Sequence, residues 1–188
     1  MFRRGRTSSG AKWAFVGGLI AGGAAIIPLA PKLRKRAMHP ALILKKDHRM
    51  VSGLIMTLEM TPRLNATVRK ALFEQIHRSV LVHAQTEEEV LYPALRNVML
   101  GEEEKITEAY REHQIVKDLL NDMATMDVMS DAFDTKLGQV KNNIKHHVEE
   151  EEGEIFEIMT QRMSREQLEE LGQRLHHRKK DLKGKIAA

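Results

Sequence analysis

The sequence predicts an all-α protein: an antiparallel up-down four-helix bundle with an N-terminal hydrophobic segment and a short C-terminal helix. Three observations predict it. Apolar residues recur at steps of three and four along four long stretches. Short turn signals, at Thr61-Pro62, Gly101 and Ser130, separate those stretches. The composition favours helix, with aromatics at 4%, five Pro and 11 Met in 188 residues.

Each helix has a start and a stop. The first is expected from about Pro40 to Glu59, because a proline at the first helical position loses no hydrogen bond, and Thr61-Pro62 ends it. The second runs from about Ala66 to Met99 and stops near Gly101. The third runs from about Glu102 to Met126, with Glu102, Glu103 and Glu104 in the first turn, where the helix dipole favours acids. Ser130 suits the N-cap of a fourth helix reaching about Met163. Ser164 with Gln167 forms a capping-box pattern for a short fifth helix. Strand-like alternation and internal repeats are absent from the sequence. The chain divides into a basic, hydrophobic segment (1–37), the bundle (38–162) and a basic C-terminal helix (163–188).

Composition limits the chemistry. With no cysteine, disulfides, thiolate ligands and a cysteine nucleophile are excluded. A bound metal must then be held by nitrogen and oxygen, which suits iron, manganese or zinc. The net charge of +4 conceals an asymmetry: residues 1–46 carry ten basic and no acidic side chains, whereas residues 47–163 carry 13 basic and 22 acidic ones. The basic ends suit an anionic membrane surface, and the acidic centre argues against a nucleic-acid partner.

Residues 13–31 form 19 uncharged residues between basic flanks, about the length of a membrane span. The favoured reading is a membrane anchor, with the main domain on the cytoplasmic side because more basic residues follow the segment than precede it. A cleaved signal peptide, a surface-associated leader and a soluble cytoplasmic protein translated from Met38 are the alternatives.

The chemistry lies in the apolar stripes. His48 falls between Leu44 and Val51, and His113 between Ile106 and Val116. His83 and Glu87 interrupt the stripe Phe73, Ile76, Val80, Val90, while His147 and Glu151 interrupt Leu137, Val140, Ile144, Ile155. A polar group on a core-facing position is costly unless something satisfies it. Counted from turns near residues 63, 101 and 129, the four histidines lie at heights differing by roughly 3–9 Å, at 1.5 Å per residue. A His-to-Glu step of four puts both side chains on one face about a turn apart. Two such pairs on different helices can supply carboxylates that bridge two metals. Glu88, Glu89, Glu149, Glu150 and Glu152 fall mostly off the stripes and read as solvated face. His77 and His146 also lie off them and read as residues that are not ligands, and the methionines read as core filler.

The segments KKDHRMVSGL around His48, HAQTEEEVLYPAL from His83, YREHQIVKDLL around His113 and HHVEEEEGEIF from His146 resemble the hemerythrin-like, or HHE cation-binding, family. Their order follows H…HxxxE…H…HxxxE over roughly residues 38–160. The resemblance implies a four-helix bundle holding two non-haem iron ions, carboxylate- or oxo-bridged, with manganese or zinc as alternatives. His48, His83, His113 and His147 would be nitrogen ligands, and Glu87 and Glu151 the carboxylates. Oxygen-carrying hemerythrins have a second histidine four residues before the one matching His113. Here that position is Ala109, which puts respiratory-style oxygen carriage in doubt and leaves a position for water or for Tyr110.

Such a site suits a protein that binds, senses or scavenges O₂, peroxide or NO, with a small diatomic or peroxide ligand as partner. The alternatives are iron storage or iron-level sensing, and a peroxide- or NO-detoxifying enzyme. No nucleophile triad or phosphate loop suggests another reaction.

Overall fold

The computed structural model describes residues 38–186. The reading of residues 13–31 as a membrane anchor, and of 1–37 as a separate segment, lies outside them. The described residues contain helices and no strand: α1 (Pro40–Met60), α2 (Ala66–Thr86), α3 (Tyr92–Leu95), α4 (Glu103–Met123), α5 (Asp131–Glu150), α6 (Phe156–Arg162) and α7 (Arg165–Ile186). None is long and apolar enough to cross a membrane. Two π-helical turns, Glu87–Leu91 and Glu151–Ile155, join α2 to α3 and α5 to α6, so each pair reads as one interrupted rod.

Helix ends follow the local chemistry. Pro40 stands in the first turn of α1. The Phe133 N–H donates to Ser130 Oγ at 3.1 Å, capping α5. The Ser164 N–H donates to Gln167 Oε1 at 2.7 Å and the Gln167 N–H donates to Ser164 Oγ at 3.3 Å, the reciprocal capping box ahead of α7. Gly101 has φ +84°, a left-handed conformation that glycine adopts without a Cβ clash, and it turns the chain into α4.

α1 packs on α2 and α4 on α5, and the contacts of α1 with α5 and α2 with α4 close the four-membered bundle. At its far end the buried Arg69 gathers the connections. Its guanidinium donates to the carbonyls of Val128 (2.7 Å), Thr61 (2.9 Å) and Leu58 (3.3 Å), pairs with Asp134, and lies 5.5 Å from the centroid of the Phe133 ring. The bonds to Leu58 and Thr61 serve carbonyls at the end of α1, and the bond to Val128 serves one in the connection between α4 and α5.

α7 is longer than a capping box alone foretells. Its 22 residues bury Leu168, Leu171, Leu175 and Leu182 against the outside of α1, α2 and the first π turn. At Gly172 it approaches the chain so closely that a Cβ would stand 1.5 Å from the Met38 carbonyl oxygen. The methionines divide: Met99, Met123 and Met159 are core, whereas Met56 and Met60 are exposed.

The interior is two apolar clusters. One holds Leu44, Leu91, Tyr92, Leu95, Ile106, Phe156 and Met159, and the other Val51, Ile55, Phe73, Ile76, Val116, Leu120, Phe133 and Val140. On every helix of the bundle the switch from one cluster to the other falls at the histidine or the His/Glu pair. The polar residues therefore form a single layer across the core.

Candidate metal centre

The structure brings all six inward polar residues into that layer. His48, His83, His113 and His147 are 4–7% exposed, and Glu87 and Glu151 are 0% and 1% exposed. The imidazoles form two pairs, His48 with His83 and His113 with His147, and in each the Nε2 atoms stand 3.2 Å apart. Each glutamate lies across the pairs. Glu87 Oε2 is 3.2 Å from Nε2 of both His83 and His113. Glu151 Oε2 is 3.3 Å from His48 Nε2 and 3.8 Å from His147 Nε2.

The opposite nitrogen of each ring faces a second carboxylate. The Nδ1–H groups of His48, His113 and His147 donate to Glu152 (2.8 Å), Glu88 (3.0 Å) and Glu112 (3.0 Å). His83 Nδ1 faces Asp47 Oδ2 at 3.8 Å. The three hydrogen-bonded carboxylates favour the Nδ1–H tautomer, which leaves Nε2 with a lone pair pointing inward. Three are themselves held by lysines: Glu152 by Lys45, Glu88 by Lys117 and Asp47 by Lys179. The reading of Glu88 and Glu152 as solvated face is thus corrected. Their backbone positions are off the stripe, but their side chains reach a neighbouring helix. Asp47 and Glu112 went unnoticed for the same reason.

A tyrosine also enters the layer, and it is Tyr92, not Tyr110. The Tyr92 hydroxyl is fully buried, 3.4 Å from Glu151 Oε1, to which it donates, and 3.4 Å from His113 Nε2. Tyr92 follows Glu87 by five residues, which in a regular α-helix would set it roughly 140° away. The intervening π turn removes much of that angle: the Tyr92 N–H reaches back five residues to the Glu87 carbonyl. Pro93, lacking an N–H, cannot serve the Glu88 carbonyl in that register. The Tyr110 hydroxyl serves it instead, donating at 3.0 Å, and is thereby turned away from the layer. The second π turn likewise begins at Glu151, with the Phe156 N–H bonded to the Glu151 carbonyl.

Electrostatics show what the layer needs. With Nδ1 carrying each proton, both oxygens of Glu87 and Oε2 of Glu151 have no hydrogen-bond partner. Burial opposes charge on His48, but Glu151, Glu87 and Glu152 outweigh it and raise its pKa to about 9. Burial, helped by the charge of His48, lowers His83 to about 4 against the opposing Asp47. Burial and the adjacent Glu151 push Glu87 well above the ordinary carboxylate range. Burial would raise Glu151 too, yet His48, His147 and His83 hold it at about 2. Two carboxylates buried side by side are costly. Divalent cations seated between imidazole nitrogens and carboxylate oxygens would let both stay ionised. The donor set fits metal ions, and two overlapping groups carry it: His48, His83, His147 and Glu151, and His83, Glu87, His113 and His147.

Two spaces adjoin the layer. One, of about 30 Å³, is lined by the four imidazoles with Val51, Val80, Val116, Ile144 and Val148. The other, of about 370 Å³, is an open acidic cleft that reaches His147 and Glu151 past Ala109.

Comparison with known proteins agrees with this geometry. The model of the hemerythrin HHE cation binding domain family matches residues 39–159. A protein named DNA nickase from Nostoc sp. is 29% identical over 136 residues, which are 72% of this chain and 38% of that protein. The chain therefore spans well under half of that relative. The crystal structure of a hemerythrin HHE cation binding domain-containing protein from Mycobacterium kansasii has a TM-score of 0.68 at 24% identity, over 78% of this chain and 88% of that one. That likeness is one of fold.

Proposed function

The chain belongs to the hemerythrin HHE cation-binding family, and we propose that its buried layer holds two non-haem iron ions through which the protein binds, senses or scavenges O₂, peroxide or NO. A metal-binding role follows from the family and the His/Glu cluster together. The observation that carries the two-ion reading is the placement of Glu87 and Glu151, each lying between an imidazole of one pair and an imidazole of the other. In this reading His48, His83, His113 and His147 would hold the ions through Nε2, with Glu87 and Glu151 as their carboxylate ligands.

When bound, iron would supply reversible electron transfer and open positions for a small ligand. The residues of the chain do the rest. The outer carboxylates orient the imidazoles with Nε2 toward the layer. The Tyr92 hydroxyl offers a proton for a hydrogen bond inside the layer, where burial keeps its pKa well above the ordinary tyrosine range. The apolar void beside the four imidazoles supports a small, uncharged ligand such as O₂ or NO. A small-molecule partner rather than nucleic acid is supported by the excess of 22 acidic over 13 basic side chains in residues 47–163. The nicking activity named for the Nostoc relative belongs to a much longer protein.

The test is metal content and the optical spectrum of the full chain purified in air. About two irons per chain, with a ferric band that bleaches on reduction and returns with O₂ or peroxide, is the expected result. Glu87→Ala and Glu151→Ala should each lose iron. A redox-silent metal, or none, sinks the reading.

A further inference from the structure

The open cleft beside Ala109 is bordered by carboxylates of α4, of the end of α5 and of the second π turn. Glu104, Glu108, Glu150 and Glu154 stand around it with Lys105 as the one lysine or arginine in its lining. Lys105 pairs with Glu154, and Arg111 pairs with Glu108 from outside the lining. A concave surface of this sign raises the local concentration of cations.

One group in the cleft is out of keeping with a solvated surface. Glu112 is 4% exposed and its two oxygens face opposite ways. Oε2 accepts the His147 Nδ1–H at 3.0 Å, whereas Oε1 is buried and has no hydrogen-bond partner. Oε1 points at His146 Nε2, 3.4 Å away, and the same Nε2 lies 3.3 Å from Glu150 Oε1. These are the separations of neighbouring ligands around one ion whose metal–ligand distances are about 2.0–2.2 Å. The three ligand atoms lie within 4.8 Å of one another. His146 is off the core stripe because it serves the outside of α5, while its neighbour His147 serves the inside.

We propose that Glu112 and Glu150, which line the acidic cleft, form with the adjacent His146 a separate cation site, which takes a divalent first-row metal ion on its way to the buried layer. One imidazole and two carboxylates suit Fe²⁺, Mn²⁺, Co²⁺ or Zn²⁺. Glu112 couples this site to the layer, since one of its oxygens faces each. The site binds its ion whether or not the layer holds two irons; only the delivery role rests on that reading.

The experiment titrates the metal-free full chain with Co²⁺, followed by its visible absorption and by calorimetry. The expected result is two tight equivalents and a third, weaker one. His146 has a side chain 61% exposed and Glu150 one 45% exposed, so the double variant His146→Ala/Glu150→Gln should fold as the parent does. It should lose the third equivalent and keep the other two. In the complementary variant His83→Ala, the weak equivalent should survive while tight binding is lost. Anaerobic Fe²⁺ loading of the double variant should slow by about ten-fold, by analogy with the loss of electrostatic focusing, with the final iron content unchanged. A parent chain with only two equivalents would mean that His146 is merely an ion-pair partner, and overturns the proposal. So does a third equivalent that persists in the double variant. An unchanged loading rate overturns the delivery role. A weak equivalent without the tight pair upholds the outer site and sinks the two-iron reading instead.

Discussion

Glu112 immediately precedes His113 in the chain, yet its carboxylate accepts from Nδ1 of His147 on the next helix, at 3.0 Å. The same offset recurs around the bundle. Asp47 precedes His48 and faces His83; Glu88 follows Glu87 and serves His113; Glu152 follows Glu151 and serves His48. Every outer carboxylate is thus a chain neighbour of one inward residue and the partner of a histidine on an adjacent helix. Three hydrogen bonds and the 3.8 Å approach of Asp47 to His83 close a ring around α1, α2, α4 and α5. Each helix orients the imidazole of another, so the layer is fixed only when all four are docked.

Removing one link should therefore loosen metal at a neighbouring helix. Glu112→Leu is expected to weaken metal binding at the His113–His147 pair by about 10–100-fold, the usual cost of deleting a carboxylate behind a ligating histidine. Glu112→Gln, which still accepts a hydrogen bond, should lose less. Competition with a chelator of known affinity measures both. Unaltered retention in Glu112→Leu would show that the ring is ornamental to the metal.

Tyr92→Phe separates the hydroxyl in the layer from the ring that fills the core. The ring keeps its packing in the apolar cluster, including its 4.9 Å edge contact with Tyr110. Stability should fall by about 1–2 kcal/mol, as for loss of one long hydrogen bond to a buried, ionised carboxylate. The dissociation constant for NO on the reduced, iron-loaded chain should rise about five-fold, roughly 1 kcal/mol. Tyr110→Phe should leave the Mössbauer spectrum and NO affinity unchanged, because that hydroxyl serves the Glu88 carbonyl. Equal effects of the two substitutions would contradict this assignment.

What was legible in the sequence and what was not follows from one limit. Helical steps of three and four relate residues within a single regular helix, and they located His48, His83, Glu87, His113, His147 and Glu151 on inward faces. The same arithmetic hides any residue whose partner is on another helix. Asp47, Glu88, Glu112 and Glu152 are of that kind. It also fails where the period itself changes. Regular helical spacing sets Tyr92 out of register with Glu87, and the π turn that brings it back is not announced by hydrophobic spacing, although Pro93 after a run of glutamates hints at a break. The capping box at Ser164 gave the start of α7, but its length came from the stripe Leu168, Leu171, Leu175, Leu182, which pays off only once α1 and α2 present a groove.

The metal-free chain should show a stability maximum on the slightly acidic side of neutrality, and metal should change the shape of that curve. His48 has a folded pKa of about 9 against 6.5 unfolded. Its contribution is full below 6.5 and is lost as pH rises through 9. Glu87, raised by burial and by Glu151, acts in the same direction, since ionising it in place is costly. His83, lowered to about 4, works oppositely: it costs nothing above 6.5, and destabilises as pH falls from there through 4. Glu151, held at about 2, adds a further loss as pH falls below its unfolded value of 4.5. The sum predicts a melting temperature highest at about pH 5–6.5 and declining toward pH 9. Bound metal requires these ligands deprotonated, so its stabilisation grows with pH and loading near neutrality releases protons. Melting curves of chelator-treated and iron-loaded full chain at intervals between pH 5 and pH 9, with a pH indicator following the loading step, test both halves. A metal-free melting temperature that climbs steadily from pH 6.5 to pH 9, or loading without proton release, would refute the charge arrangement inferred for the layer.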